Sequence, residues 1–214
     1  MYTLATPTRD QCFRLIRQIG MPPHIQRHSL MVAEISLYLG RLLKVQNPGL
    51  DLDLLQASAL LHDIAKAPSL VTGESHSELG AKMLDDLGYM QISPIVKEHA
   101  SMEADRLIGP ITESLIVNYS DKRVKHDQIV SLEDRFCDLM DRYGKTQEHK
   151  DRIWSKLGLY LALEKKIFAQ LPIDPGGREL MSLSPQNHAG IESEHYDWEK
   201  IESGVIGRWQ IRRA

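Results

Sequence analysis

Residues 54–63, with the sequence LLQASALLHD, decide how this chain is interpreted. A mostly apolar stretch leads directly into the adjacent residues His62 and Asp63. In a helix, Leu55, Ala59 and His62 share one side, and Ala59 also lies one turn before Asp63. A carboxylate beside such a face is costly to bury unless it meets a cation or several hydrogen-bond donors. The stretch therefore predicts a buried helix that brings a histidine and an aspartate to an interior site.

The same helical periodicity extends through most of the chain. Apolar residues recur at intervals of three and four, and Pro or Gly separates the periodic segments. We therefore predict an all-α fold, a helical bundle. The predicted helices cover approximately residues 8–19, 23–46, 51–66, 76–87, 94–104, 112–124, 131–143 and 148–171.

The composition fits one folded domain with an appendage. The chain has 214 residues, of which 42% are hydrophobic and 26% charged, and this is enough to bury one substantial core. The last strong helix stops before residues 174–177, DPGG, which predict a break. We predict one domain over residues 1–177 and a polar C-terminal tail over residues 178–214, which contains Trp198 and Trp209 and docks on the domain or on a partner.

The net charge, the apolar runs and the cysteines bear on possible partners and on the cellular compartment. A formal net charge of −3 provides no general attraction to nucleic acid or to anionic lipid. No apolar run approaches the roughly 20 residues that a bilayer-spanning helix needs, and the first residues do not resemble a secretory signal. Two cysteines, Cys12 and Cys137, cannot make a disulfide framework, and we expect buried thiols. We expect a cytoplasmic protein.

Further metal-ligand residue types fall on predicted apolar faces or at helix ends. His28 shares a stripe with Ile25 and Val32 on the second predicted helix, so its ring points inward. Taken alone, each such histidine is more often a core, capping or surface residue than a metal ligand, but their joint order along the chain favours a shared site. Neutral imidazoles and carboxylates are common ligands of transition metals, and six suffice for two ions if one carboxylate is shared. With His62 and Asp63, the candidate ligands are His28, His76, His99 and Asp121.

These segments resemble a known family. The chain reads RHSLMVA at 27–33, LLHDIAK at 60–66, HSELGA at 76–81 and YSDKRV at 119–124, and together they are similar to the H…HD…D signature of the HD-domain metal-dependent phosphohydrolases. The resemblance covers about residues 20–143. It implies an HD-domain-like helical bundle with a C-terminal extension.

The resemblance also implies a division of the ligands. His28, His62 and Asp121 would hold one metal, His76 and His99 a second, and Asp63 would lie between the two. The extra histidines are similar to the two-metal branches, which include dinucleoside tetraphosphate hydrolases. The chain departs from many relatives at Ala65, where they have glycine, and at Ala100, where a second histidine is missing.

A two-metal site of this kind would hydrolyse a phosphoester or phosphoanhydride bond, for which we predict Asp63 and Lys66 as catalytic residues. The expected cofactors are two divalent ions, with Fe, Mn, Ni, Co, Zn and Mg all left open. The expected substrate is a small phosphorylated molecule, most readily a nucleotide. As contacts for its phosphate we predict Lys66, Arg27, Lys122 and Arg123.

Two other functions are compatible with the same residues. Some two-iron relatives are oxygenases, and the sequence does not exclude iron. A non-catalytic regulatory module with a structural metal site is the other alternative. Among partners we expect no membrane, the sequence carries no strong signal for nucleic acid, and we leave a homodimer open. The charged residues from Glu133 to Arg142 are predicted to form an exposed, salt-bridged helix face.

Overall fold

The computed structural model describes residues 4–184, and the all-α prediction is confirmed for them. Only a short hairpin departs from it, in which Val124 pairs with Ile129 and Lys125 with Gln128. Trp198 and Trp209 lie outside the described residues. The α-helices are α1 Arg9–Ile19, α2 Pro23–Leu43, α3 Leu52–Leu61, α4 Lys66–Thr72, α5 His76–Asp86, α6 Ser93–Glu98, α7 Glu113–Lys122, α8 Leu132–Tyr143, α9 Gln147–Phe168 and α10 Arg178–Met181, with a 3-10 turn at Ala104–Leu107 and the strands β1 Val124–Lys125 and β2 Gln128–Ile129.

Helix α2 lies at the centre of the bundle. Four consecutive residues, Leu30 to Ala33, are all buried, which requires neighbours on every side of the helix. Helices α3 and α7 pack directly against it, while α5 pairs with α6 and α8 with α9. At Gly40 the absence of a side chain lets α3 approach closely, because an added Cβ would overlap the Leu55 side chain. This packing gathers the inward faces of α2, α3 and α7 around one region.

The predicted helix over residues 51–66 is interrupted at His62 and Asp63. Helix α3 ends at Leu61 and α4 begins at Lys66. Between them, the Ile64 amide donates to the Leu61 carbonyl at 3.0 Å and the Lys66 amide to the Asp63 carbonyl at 3.0 Å. These tight turns end the regular helix and leave His62 and Asp63 at its C-terminal end, facing the core. The predicted helix over 94–104 is likewise shorter, ending at Glu98 just before His99.

The apolar core continues past the predicted domain boundary at residue 177. Leu180 of α10 is completely buried, and Leu183 packs partly against the core. The division into residues 1–177 and 178–214 stays a prediction, but the first residues of the segment beyond 177 contact the bundle. Within residues 4–184, no helix is both long enough and apolar enough to cross a bilayer.

Candidate metal centre

The bundle brings all six predicted metal ligands together. They come from five separate places along the chain, of which only the adjacent His62 and Asp63 share one, so their proximity results chiefly from the packing of the helices. Each is buried except for His76, whose side chain is 30% exposed. They are His28 on α2, His62 and Asp63 after α3, His76 at the first residue of α5, His99 after α6, and Asp121 on α7.

One group of ligand atoms forms around His28 and His62. The His28 Nε2 atom lies 3.0 Å from Asp121 Oδ1, and the His62 Nε2 atom lies 3.7 Å from the same oxygen. The second oxygen donor is Asp63, whose Oδ2 is 3.5 Å from His62 Nε2 and 4.0 Å from His28 Nε2. These distances place two imidazole nitrogens and two carboxylate oxygens around a common space.

The other oxygen of Asp63 faces a second group. Asp63 Oδ1 lies 3.5 Å from His76 Nε2 and 3.6 Å from His99 Nε2. The two imidazole nitrogens are 3.1 Å apart. The carboxylate of Asp63 therefore spans both groups, one oxygen to each, and each group has the composition and the spacing of a site for a metal ion.

Hydrogen bonds to backbone carbonyls orient three of the rings. The Nδ1 atoms of His62, His99 and His28 lie 2.7 Å from the Ala59 carbonyl, 2.6 Å from the Val96 carbonyl and 3.0 Å from the His126 carbonyl. Because a carbonyl only accepts, each Nδ1 must carry the proton. This leaves the Nε2 atoms to face the shared site, and hydrogen bonds of this kind from the other ring nitrogen are typical of histidines that bind metals.

Sequence reasoning missed the residue that orients His28. His126 occupies the turn of the β1–β2 hairpin with a positive φ of 57°, which is uncommon for a residue other than glycine. Its carbonyl accepts the hydrogen bond from His28. A local signal for this role was lacking, because a backbone carbonyl contributes no residue type to a motif.

The donor atoms fit a divalent cation. His62 Nε2 and Asp63 Oδ1 are buried, yet neither has a hydrogen-bond partner among the described residues. Leaving such atoms unsatisfied carries a substantial desolvation cost, which a cation between them would remove. Mixed imidazole and carboxylate ligands suit zinc, iron, manganese and nickel. The residues present therefore fit the divalent metal that the sequence implies.

The protonation states also suit metal binding. Burial lowers the pKa of His76 to about 4 and lowers that of His99, so both rings are neutral at pH 7. Burial alone would raise the pKa of Asp63, but His62 and Lys66 hold it well below its usual value. In the same way, the pKa of Asp121 is held well below its usual value despite burial, chiefly by Lys122. Neutral imidazoles and ionised carboxylates are the forms that coordinate.

Two of the four predicted phosphate contacts lie at the centre. Lys66 Nζ donates to Asp63 Oδ2 at 2.7 Å and keeps 34% of its side chain exposed. Lys122 is buried, pairs with Asp121, and lies 3.4 Å from the His99 carbonyl. Burial would lower the pKa of each lysine, but the neighbouring aspartates raise it, so both are cations at neutral pH.

The other two predicted phosphate contacts require correction. The guanidinium of Arg123 is committed to the interior, where it bonds Tyr119, Glu164 and the Pro175 carbonyl. Arg27 is exposed and pairs with Asp127 at 3.3 Å. Neither arginine lines the cavity beside the metal centre, so these two residues are not placed to bind a phosphate there.

That cavity has a volume of about 390 Å³ and opens from Asp63, His76, His99 and Asp121 toward helices α8 and α9. On α8, Arg135 and Asp138 are buried, which corrects the prediction of an exposed charged face there. Arg135 lines the cavity together with other residues that no sequence motif indicates. They are chiefly Arg152, Lys156 and Tyr160 on α9, and Phe136 and Tyr143 on α8.

Comparison with known protein families agrees with this geometry. A family model described as HD domain matches residues 25–145, more than half of the chain. The chain belongs to the HD domain family. The HD domain match contains all six candidate ligands and ends before α9 begins. HD domains bind divalent metals and are generally metal-dependent hydrolases. No curated protein and no solved structure matches the chain.

Proposed function

We propose that this HD domain hydrolyses a phosphoester or phosphoanhydride bond in a small phosphorylated substrate, a nucleotide in particular. The observation that carries the proposal is the arrangement of Asp63, whose two oxygens face two separate histidine groups. Two neighbouring cation positions that share one carboxylate suit in-line displacement at phosphorus. Lys66 and Lys122 supply positive charge next to both carboxylates.

The reaction is a transfer of the phosphoryl group to water. A water oxygen forms a bond to phosphorus while the bond between phosphorus and the leaving oxygen breaks, and the leaving oxygen gains a proton as the water loses one. When bound, the divalent ions acidify the water and neutralise charge on the phosphoryl oxygens. His28, His62, His76, His99, Asp63 and Asp121 would hold those ions.

Lys66 is the first candidate for direct contact with the phosphoryl group. Its ammonium lies at the cavity wall, bonded to Asp63 Oδ2, and part of its side chain faces solvent. A fixed cation beside the reacting group stabilises negative charge that develops on the phosphoryl oxygens. Lys122 stands next to Asp121 on the same wall and contributes in the same way.

The proposal of a nucleotide is supported by the chemistry of the cavity. Phe136, Tyr143 and Tyr160 line it together with aliphatic residues. Aromatic and aliphatic side chains can pack against a nucleobase while the phosphate stays at the cationic end. Dinucleoside tetraphosphates belong to this substrate class and are one member to be tested.

The test combines metal analysis with a substrate screen. The full chain, purified with its metals quantified, is assayed for phosphate release from nucleoside mono-, di- and triphosphates, cyclic nucleotides and dinucleoside polyphosphates. We expect activity that chelators abolish and that added metal restores. Asp63→Asn should remove the activity, and His149→Gln, which changes an exposed histidine, is the matched control. Metal-loaded protein that releases no phosphate from any of these substrates contradicts the proposal, and metal-dependent oxygen uptake would indicate the oxygenase alternative.

A further inference from the structure

Helix α9 contributes a row of polar residues to the cavity although it lies beyond the family match. Arg152, Lys156 and Tyr160 all line the cavity, and α9 begins at Gln147, after the matched residues end at 145. Spacing of four residues places the three side chains on one face of the helix. This face is therefore a feature of this chain that the shared family core does not supply.

The row runs away from the metal centre. Tyr160 marks its inner end, because Lys122 Nζ lies 5.5 Å from the Tyr160 ring centroid and also pairs with Asp121. Each step of four residues advances about 6 Å along a helix axis. Lys156 therefore lies about 6 Å, and Arg152 about 12 Å, farther along α9 from the centre.

The positive charge of this row is not neutralised by the acidic side chains that line the cavity. The only acidic side chains among the described lining residues are Asp63 and Asp121, and these already pair with Lys66 and Lys122. Lys156 forms no ion pair with any residue in the range 4–184. Within the same range, Arg152 has one ion pair, an exposed contact of 3.4 Å with Glu148. An exposed pair of this kind holds its partners weakly.

Arg135, on the facing helix α8, adds a further cation to the cavity wall. Its side chain is 9% exposed and its Nη1 donates to Asp138 Oδ2 at 2.8 Å. Its buried Nε has no hydrogen-bond partner among the described residues, although Arg135 lines the cavity. Unsatisfied buried donors of a guanidinium are rare and costly. Arg135 therefore adds a second cationic element to the cavity wall, opposite Arg152 and Lys156.

The remaining wall of the cavity is apolar. Phe136 and Leu139 on α8 and Ile153 on α9 line it along with the cations. An anion bound near Lys156 and Arg152 therefore belongs to a molecule with an apolar or aromatic body, because this surface gains from being covered by such a group.

We propose that Arg135, Arg152 and Lys156 form a second anion subsite, which selects phosphorylated substrates carrying another anionic group across an apolar or aromatic body. The proposal rests on the proposed function, since the scissile phosphate occupies the metal centre. Arg152 and Lys156 act on binding and selectivity and do not touch the reacting atoms.

The test uses phosphonates as probes. They have a carbon–phosphorus bond in place of the bond to a leaving oxygen, so the protein cannot hydrolyse them. Phenylphosphonate and 4-phosphonobenzoate differ only in a carboxylate on the far side of the ring. Calorimetry on the metal-loaded full chain should show at least about tenfold tighter binding of 4-phosphonobenzoate, the scale of one charge-assisted hydrogen bond. In the double variant Arg152→Gln/Lys156→Gln this ratio should fall to about one. Lys165→Gln, an exposed lysine of the same helix outside the cavity, should keep the full ratio.

A kinetic comparison separates this proposal from the proposed function. Phenyl phosphate and 4-carboxyphenyl phosphate are compared by kcat/KM in the wild type and the double variant, so that differences between the leaving groups cancel in the comparison. The subsite alone is overturned if phenyl phosphate is hydrolysed but the two phosphonates bind equally well. It is also overturned if phenyl phosphate is hydrolysed and the double variant keeps the wild-type ratio of phosphonate affinities. A high binding ratio that the double variant loses, without phosphate release from either ester or from any substrate of the nucleotide screen, supports the subsite and overturns the proposed function.

Discussion

Asp63 presents Oδ1 to His76 and His99, and Oδ2 to His62 and His28. Removing a histidine on one side therefore leaves the other group of ligand atoms intact, whereas changing the shared carboxylate alters both. The sequence predicts these residues because each follows or joins an apolar stripe. It does not predict which oxygen faces which ring, since that depends on the turn between α3 and α4.

If an ion occupies each of the two groups of ligand atoms, as we propose, His76→Gln should cost one ion, while Asp63→Asn should cost both. Even the loss of a partner that only orients a ligand weakens metal binding by about 10–100-fold, and the loss of a ligand itself should exceed this. Metal per chain is measured by mass spectrometry after dialysis, with His149→Gln as the unaltered control. Equal metal loss in His76→Gln and Asp63→Asn would contradict a division into two groups around Asp63.

The two cysteines should differ sharply in reactivity. Cys12 is buried, and burial raises the pKa of its thiol to about 12, so at pH 8 almost none of the nucleophilic thiolate is present. Cys137 is exposed, which corrects the prediction of a second buried thiol. A thiol reagent at pH 8 should label one cysteine in the folded protein and both in denaturant. Rapid labelling of folded Cys137→Ser would show that Cys12 is accessible.

Helix packing decides what each element tolerates. Gly40 faces α3, where an added Cβ would overlap Leu55 and lie 3.1 Å from Leu52 Cδ2, whereas a Cβ at Gly158 of α9 would meet nothing within 4 Å. Both positions are helical glycines, and sequence alone treats them alike. Their difference arises only from the neighbouring helices.

Gly40→Ala should destabilise the protein and Gly158→Ala should stabilise it. Overpacking a buried contact costs about 1–3 kcal/mol. Because Leu55 is fully buried and has little room to move, we expect this cost to exceed the gain in helix propensity of about 1 kcal/mol. At Gly158 only that gain applies, about 0.5–1 kcal/mol. The free energy of unfolding in urea, followed by circular dichroism, gives both values. An increase in stability at Gly40 would show that Leu55 moves aside freely.

Arg123 should prove essential to the joining of α7 and α9 and irrelevant to metal binding. Its guanidinium lies 3.1 Å from Glu164 with only 3% of the side chain exposed. Removing one member of a buried ion pair costs about 3 kcal/mol or more, so Arg123→Gln should lower the free energy of unfolding by about that amount with unchanged metal content. Arg27→Gln breaks an exposed pair and should change stability by less than about 1 kcal/mol. Metal loss in a folded Arg123→Gln protein would contradict a purely structural role.

Across the whole molecule, the sequence predicts the helical class and the six ligand candidates better than it predicts the cavity. The ligands adjoin apolar stripes that can be read locally, as at residues 54–63. Arg152 and Lys156 carry no such local signal, because only the packing of α8 and α9 beside the metal centre places them in the cavity wall. The same limit explains why Arg123 resembled a phosphate ligand in sequence, next to Asp121 and Lys122, although its side chain turns toward Glu164.

The metal-free protein should lose stability as the pH falls from about 6.5 toward 4. Burial lowers the pKa of His76 from 6.5 to about 4 and also lowers that of His99. Between these pH values the unfolded chain binds more protons than the folded chain, so the free energy of unfolding decreases on acidification. The stabilisation is complete above pH 6.5 and disappears below the folded pKa. Below about pH 4, protonation of Asp63 and Asp121, whose pKa values are held well below 3.8, should lower the stability further.

Urea unfolding at a series of pH values, with metal removed by a chelator and dialysis, measures this dependence. His76→Gln should show a shallower slope between pH 6.5 and 4, because glutamine has no proton to gain there. His149→Gln, which changes an exposed histidine, should retain the slope of the wild type. If His76→Gln and the wild type gave parallel curves over this range, the neutral state of His76 would make no contribution to the acid sensitivity of the fold.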